Sequence, residues 1–573
     1  MNPGLLARKA LLSLAMTILF STLYAQTETG DQTKQYRNAP HETRGDDYAA
    51  SPRSGHPTSS AYTYSAPGFF TTQVNVNANG ENVVGDAANE PSITFDPNDH
   101  SKMAIGWRHF ETITNNFRQA GIAFTTDGGQ IWTFPEVIDP GVFRSDPVLD
   151  SDAEGNFYYN SLTVSGWDYS CDVFKSADGG QTWDAGAFAQ GGDKQWMAVD
   201  KTGGQGDGHV YAFWTSSWSI CYPGFFTRSV DGGSSYQPCT SIPGNPYWGT
   251  LAVGPGGELY LAGSKGYNFM FAKSLNAQDP SQTTSWDLVS DVDLDGEIMG
   301  FAGYNSPNPE GLLGQTIIAV DSSGGTTHGN IYILCSVDRY TGGDPCDVMF
   351  TRSTDHGESW SVPVRVNDDQ GASAYQWFGT MSVAPDGRID AVWLDTRDNP
   401  GSVWSALYYS WSMDGGGSWS ENVKLSESFN PHMGWPSQDK MGDYFDMYSD
   451  ETGAHLAWAG TFNGEQDVYY AHITDAITGE EYAQAANSPK LCQNYPNPFS
   501  EYTSIRFRLH ESMHVRLSVF DLTGREVDVL VDDQLAPGLH TVRFDPGELE
   551  NGIYGYRLKG NGLELARTMV LYR

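Results

Sequence analysis

The stretch Lys175-Ser-Ala-Asp-Gly-Gly-Gln-Thr-Trp183 has counterparts at Thr125 to Trp132, Ser229 to Tyr236, Ser353 to Trp360 and Ser412 to Trp419. Each copy has Ser or Thr, then Asp two residues on, Gly two residues after that, and an aromatic five residues after the Asp. The acids are Asp127, Asp178, Asp231, Asp355 and Asp414. One copy spells a turn. Its Asp can accept hydrogen bonds from backbone N–H groups just ahead of it, and its Gly tolerates positive φ. Copies spaced at roughly 50 residues, each signalling strand–turn–strand, indicate a radial repeat, the β-propeller.

A second, longer repeat runs through the same region. Glu90-Pro-Ser-Ile-Thr-Phe-Asp96 is followed by Met103-Ala-Ile-Gly-Trp107, and Asp146-Pro-Val-Leu-Asp150 by Gly155-Asn-Phe-Tyr-Tyr159. Paired strands of this kind recur up to Asp443-Tyr-Phe-Asp-Met447 and His455-Leu-Ala-Trp458. Seven blades are the favoured reading and six the alternative. The fourth blade has a stretched box around Ser274-Leu-Asn276 and Ser285-Trp286. The last stops after Asp467 to His472, so Phe69 to Asn77 is the natural strand to close the ring.

Lys+Arg number 33 against 70 Asp+Glu, a net charge of −37. Nucleic acid and anionic membranes are therefore excluded as partners by repulsion. Arg8 and Lys9 followed by apolar Ala10 to Tyr24 read as a secretory signal peptide over residues 1–25. No later stretch is long and apolar enough for a membrane span. Residues 26–68 are polar and read as a disordered spacer. Residues 69–474 are the propeller and 475–490 a linker. Export permits disulfides. Cys221 and Cys239 flank the third box and are expected to pair, as are Cys335 and Cys346 around Arg339 to Gly343. Cys171 and Cys492 are left over.

Residues 491–573 read as a small β-sandwich, from alternating strands such as Thr503 to Leu509 and Val515 to Asp521. With Tyr495-Pro-Asn-Pro-Phe499, Asp521-Leu-Thr-Gly-Arg525, Gly552-Ile-Tyr554 and a closing apolar strand, this tail resembles the C-terminal sorting domain of type IX secretion cargo. The resemblance implies the type IX machinery as partner and a place at the outer-membrane surface or outside the cell. The fold class is thus all-β, a propeller followed by a sandwich, and a monomer is expected.

The box resembles the Asp-box, or bacterial neuraminidase repeat, of sialidases and related propellers. That implies an extracellular glycan or glycoprotein as ligand and a sialidase-like glycoside hydrolase as activity, with a non-catalytic adhesin or scaffold as the alternative. The boxes occupy third turns, so function is expected on the opposite face, near the axis. Residues preceding the inner strands meet there with residues following the second strands. A grip on a substrate carboxylate maps to Arg108, Arg339 and Arg397, with Arg144 in reserve. Trp196, Trp248 and Trp377 are the expected sugar-stacking rings. Tyr444 is the expected nucleophile, Glu90 or Glu111 its activator, and Asp146 or Asp443 the acid. Where sialidases carry Phe/Tyr-Arg-Ile/Leu-Pro, this chain reads Ala88-Asn-Glu-Pro-Ser92, keeping the Pro and replacing the Arg. No cofactor is required. Asp291, Asp293 and Asp295, in Asp-x-Asp-x-Asp-Gly spacing, are the candidate Ca2+ ligands.

Overall fold

The computed structural model describes residues 41–300, 302–436, 438–474, 490, 491, 494, 497–509, 512–536 and 538–572. The expected signal peptide, residues 475–489 of the expected linker and Cys492 lie outside the described residues, while Lys490, expected in the linker, belongs to a strand. The chain forms two compact units, one built from the propeller and one containing the C-terminal sandwich.

Between residues 69 and 474, seven antiparallel sheets follow one another among the described residues. Their innermost strands are Ala87–Asp96, Ser145–Ser151, Trp196–Val199, Tyr247–Val253, Ile317–Val320, Gln376–Val383 and Asp446–Asp450. These strands touch in that order and the last touches the first, so the ring closes. We number the blades 1 to 7 by these strands. The core is the apolar face of each sheet packed on the next, with Trp107, Trp214, Trp393 and Trp458 fully buried. Blade 7 takes its outer strand from the N-terminal side, as the sequence suggests. Phe69–Gln73 pairs with Asp467–Thr474. The Thr71 hydroxyl donates to the Tyr470 carbonyl (2.8 Å) and the Val74 N–H to the Val468 carbonyl (2.9 Å).

The boxes are the turns their residues spell. In box 2, Asp178 Oδ1 accepts from the Ser176 hydroxyl (2.8 Å) and the Thr182 N–H (2.9 Å). Asp231, Asp355 and Asp414 repeat both bonds, as does Asp127 with Thr125 and Ile131. The stretched box of blade 4 keeps the pattern with Asn276, whose Oδ1 accepts from Ser274 and from the Ser285 N–H. The boxes also dock each blade on its predecessor. The box glycines have φ between 79° and 90°. A Cβ on Gly129, Gly357 or Gly416 would strike the ring of Tyr470, Phe271 or Phe350 of the preceding blade. Box Trp132, Trp360 and Trp419 lie against the same three rings. Basic residues just ahead of the boxes complete the seam. Lys273 Nζ donates to the His356 carbonyl (3.0 Å) and Arg352 Nη1 to that of Gly415 (2.7 Å), each in the next blade's box.

The described part of the expected spacer is not disordered. Thr58–Ser60 pairs with Glu81–Val83, and Arg53 lies over the Phe134 ring, 4.1 Å from its centroid. Glu42 is fully buried. Ion pairing and ring contacts, such as Tyr62 stacked on Phe462 at 4.3 Å, order a segment that is mostly polar.

Cys221 and Cys239 are disulfide-bonded, while Cys171, Cys335 and Cys346 are buried free thiols. The expected Cys335–Cys346 bond is therefore corrected. In the strand register Cys335 faces Met349, so Cys346 sits further along the ladder.

The second unit has two sheets. One orders Lys490–Leu491, Thr503–Leu509 and Gly538–Phe544; the other orders Glu526–Leu535, Met513–Phe520, Gly552–Gly560 and Leu563–Leu571. Ile505, Phe507, Val515, Leu517, Tyr556 and Leu558 form its buried core.

Candidate active site

The inner strands of blades 1 and 2 open with a β-bulge. The register slips between Asn89 and Ser92 and between Ser145 and Val148. Glu90 (φ 56°) and Asp146 (φ 48°) sit inside these slips in the left-handed region. That conformation is unfavourable for a residue with a Cβ, and each also precedes a proline. A bulge re-aims a side chain that strand alternation would place elsewhere. Both carboxyls are fully buried and come together at the mouth of the ring.

Arg108, Arg118, Lys194 and Lys440 meet them there, facing Glu42, Glu90, Asp146, Asp193 and Asp443. Arg108 Nε is 3.0 Å from Glu90 Oε2, and its Nη1 is 3.1 Å from Glu42 Oε2. Arg118 pairs with Glu42 Oε1 and Lys194 with Asp443. Lys440 Nζ is 2.9 Å from Asp443 and 3.8 Å from Glu42. The Lys194 N–H donates to Asp146 Oδ2 (3.2 Å), and the Leu312 N–H to Asp443 Oδ1 (2.8 Å). Oxygens of Glu42, Glu90 and Asp146 lie within 4.8 Å of one another.

Four cations against five carboxyls balance if one proton stays. Glu90 is placed to keep it. Burial pushes its carboxyl up to about 8 against the pull of Arg108, with Asp146 and Asp443 adding to the rise. Neither Glu90 oxygen accepts a hydrogen bond. Burial raises Asp193 to about 7. Burial also works on Asp146 and Asp443, but Lys194 and Lys440 outweigh it and hold both below the usual carboxylate range. Burial, with Lys194 and Arg108 as like charges nearby, lowers Lys440 to about 8. The site thus holds a protonated carboxyl beside ionised ones, the division of labour that acid–base chemistry needs.

The expected carboxylate grip does not assemble as drawn. Arg108 alone of its arginines reaches this cluster. Arg339 is held by Asp295 (2.7 Å) and Asp347 (3.4 Å), and Arg397 by Asp368 (2.6 Å) and Asp395 (2.8 Å). Arg144 pairs with Asp139 and Asp172, 2.7 Å each. Each of these arginines neutralises carboxylates of its own neighbourhood. Tyr444 is at the site, but its hydroxyl donates to the Pro147 carbonyl (2.6 Å). Burial, then Glu90 and Asp146, keeps that phenol protonated well beyond its ordinary value. Glu111 does not activate it; its oxygens accept from Tyr48, Ser51 and Gln119. Trp377 is a core residue, with no exposure and its indole N–H on Ser405 (3.0 Å). Trp196 is buried edge-on to Tyr444, and Trp248 lies edge-on to Tyr247. Asp295 is occupied by Arg339 and Thr341, while Asp291 faces Lys265 at 3.3 Å. Among the described residues the acidic groups that converge are Glu42–Glu90–Asp146 and Asp344–Asp347–Asp369, with His100–Asp450–Glu451 a mixed third.

Arg118, Lys194, Lys440 and Glu42 are the residues that sequence reasoning missed. Arg118 just precedes a third strand, the mirror position to Arg108, and Lys194 sits beside Asp193 ahead of an inner strand, so both carried a topological signal. Glu42 carried none. It arrives on the N-terminal arm, where the Tyr169 hydroxyl donates to its carbonyl (2.6 Å) and its own N–H donates to Asp193 Oδ1 (3.1 Å).

The secretion system C-terminal sorting domain family matches residues 493–572. The tail is a type IX secretion sorting domain, and the protein is exported to the cell surface or beyond it. No helix among the described residues is long and apolar enough to cross a membrane. No curated protein sequence matches the chain. Similar solved structures include a protein of unknown function from Dyadobacter fermentans, with 13% identity, a TM-score of 0.39 and 71% of this chain and 100% of that one covered. A polysaccharide lyase family 25 ulvan lyase has 11% identity and a TM-score of 0.39, covering 67% and 93%. The sialidase of Trypanosoma rangeli has 9% identity and a TM-score of 0.35, covering 88% and 89%.

Proposed function

We propose that the propeller processes extracellular glycans at the axial cluster, as a glycoside hydrolase using Glu90 as acid and Asp146 as its carboxylate partner. The observation that carries this reading is the pairing itself. A carboxyl that burial keeps protonated at neutral pH stands beside one that lysines keep ionised, with oxygens of the two within 4.8 Å. The reading takes the retaining scheme, in which one carboxyl serves as acid and then base and the second carboxylate is the nucleophile. In this scheme Glu90 protonates the leaving oxygen and then takes a proton from the incoming water. Asp146 bonds to the anomeric carbon as the glycosidic C–O bond breaks, and the water activated by Glu90 then displaces it, releasing the sugar and restoring the carboxylate. The sialidase-like variant, with Tyr444 attacking, has less support because its hydroxyl is committed to the Pro147 carbonyl.

Hydrolysis of nitrophenyl glycosides of glucose, glucuronic acid and N-acetylneuraminic acid tests the reading. Turnover of at least one is expected, and Glu90→Gln should lower kcat by ~10²–10⁴-fold. No turnover by the intact chain, nor by a chain freed of its N-terminal arm, would sink it. A second reading, a non-catalytic glycan- or protein-binding propeller, is favoured by the complete burial of Glu90, Asp146 and Arg108. Retained binding on a glycan array without turnover would select it.

A further inference from the structure

The arm fills the axial site with a specific pair of groups. The His41 imidazole lies flat on Trp218, ring centroids 3.8 Å apart and planes 7° from parallel. The next residue sends its carboxylate between Arg108 and Arg118, with Lys440 at 3.8 Å. The backbone is gripped as well. Asp193 takes the Glu42 N–H, Tyr169 binds its carbonyl, and Arg118 Nη2 donates to the Thr43 carbonyl at 2.8 Å. Beyond Glu42 the hold changes character. Thr43 to Ala50 are exposed, and side-chain contacts such as the Asn116 N–H to Asp46 (2.7 Å) and Tyr48 to Glu111 (3.2 Å) tie them down.

Burying a lone acid from a polar segment is costly unless a site is already shaped for it. This site offers an aromatic face beside two guanidinium groups. Those are the features that recognise a sugar ring bearing a carboxylate: the ring face stacks, and the carboxylate is bound by the arginines. Trp167, 82% exposed and stacked at 6.4 Å on Trp218, extends the aromatic face outward.

We infer that His41-Glu42 is an internal ligand of the axial site, standing in for a carboxylated sugar, and that such a sugar binds when the arm leaves. The inference rests on the axial cluster being the working site proposed above. It adds the substrate class and a control on access. Arm departure exchanges one carboxylate for another, so the arginines are not left unpaired.

The test uses the full chain with a specific protease site inserted between Ala49 and Ala50, cut after folding. Binding of glucuronate and of glucose, which differ by the carboxylate, is measured by calorimetry before and after the cut, with mass spectrometry reporting release of the arm. Cutting should raise glucuronate affinity about tenfold or more and leave glucose unbound. Arg118→Ala in the cut chain should remove the gain, and Glu42→Gln in the uncut chain should reproduce part of it. If the cut arm stays bound, a glucuronate titration should release it where glucose does not.

A folded, arm-free chain that binds glucuronate no better than the intact one overturns the inference. So does equal binding of glucose, or a cut arm that saturating glucuronate fails to release. Glucuronate binding without turnover of any glycoside leaves the inference standing and removes the catalytic reading. Turnover of neutral glycosides without glucuronate binding does the reverse.

Discussion

Arg108 Nη1 stands 3.1 Å from Glu42 Oε2, and neither side chain has any exposure. A carboxylate of the N-terminal arm thereby neutralises a cation of the second strand of blade 1. Buried pairs contribute little against apolar packing, yet half of such a pair is strongly destabilising.

Arg108→Ala should therefore lower propeller stability by up to about 3–5 kcal/mol, because it removes a fully buried guanidinium that faces both Glu42 and Glu90 and leaves the Glu42 carboxylate to Arg118 and the more distant Lys440. The double variant Arg108→Ala/Glu42→Ala should lose less than the two single losses added together. Denaturant unfolding followed by tryptophan fluorescence measures both. Strict additivity would mean that the two residues do not interact.

The boxes are structural. Asp178→Ala removes a carboxylate that holds Ser176 and Thr182, at a cost of about 1 kcal/mol. Gly357→Ala should cost more than that, since it adds a Cβ at φ 90° that strikes the Phe271 ring of the preceding blade. Neither change should move ligand affinity. Thermal melts rank the two, and the opposite order would place the boxes' main role within a blade rather than between blades.

Ring closure should be pH-sensitive through Asp467. Gln73 Nε2 and Asn75 Nδ2 each donate to its Oδ1 at 2.9 Å, and burial, then Glu465, raises its carboxyl to about 7. The unfolded chain loses this proton near ~4, so the folded state holds an extra proton between ~4 and ~7. That stability is fully present below ~4 and is lost as pH rises through the folded value. Asp467→Asn should make the fall from pH ~4 to ~7 shallower by up to about 1.4 kcal/mol per pH unit. Urea unfolding across that range checks it, and identical slopes would rule Asp467 out.

Native alkylation should leave Cys171, Cys335 and Cys346 unmodified, because all three are buried and burial raises each thiol above its ordinary value. Non-reducing peptide mapping should recover Cys221 linked to Cys239 and no Cys335–Cys346 peptide. Replacing the bonded pair with Ser should cost about 2–4 kcal/mol. Modification of Cys346 in the native state would contradict its placement.

The propeller, its closing strand and the sorting tail were legible because their signals are local. An Asp-box writes its hydrogen bonds within eight residues, as Ser176 to Trp183 do, and the tail's motifs lie within its own strands. Repetition then turned a local turn into an architecture. The site was legible in part. Glu90, Asp146, Asp443 and Arg108 stood at the strand ends where the ring topology sends function.

What only the tertiary structure decided is which charges share a space. Arg339 and Arg397 look equivalent to Arg108 along the chain, yet Asp295 and Asp395 claim them. Charge pairing depends on distance in space, and the partners lie on strands whose register and bulges no local pattern encodes. Glu42 is the clearest case. Its segment has the composition of a linker, and its burial follows from Arg108 and Arg118 of blade 1 together with Asp193 and Tyr169 of other blades, groups far apart in sequence that only the folded ring brings together.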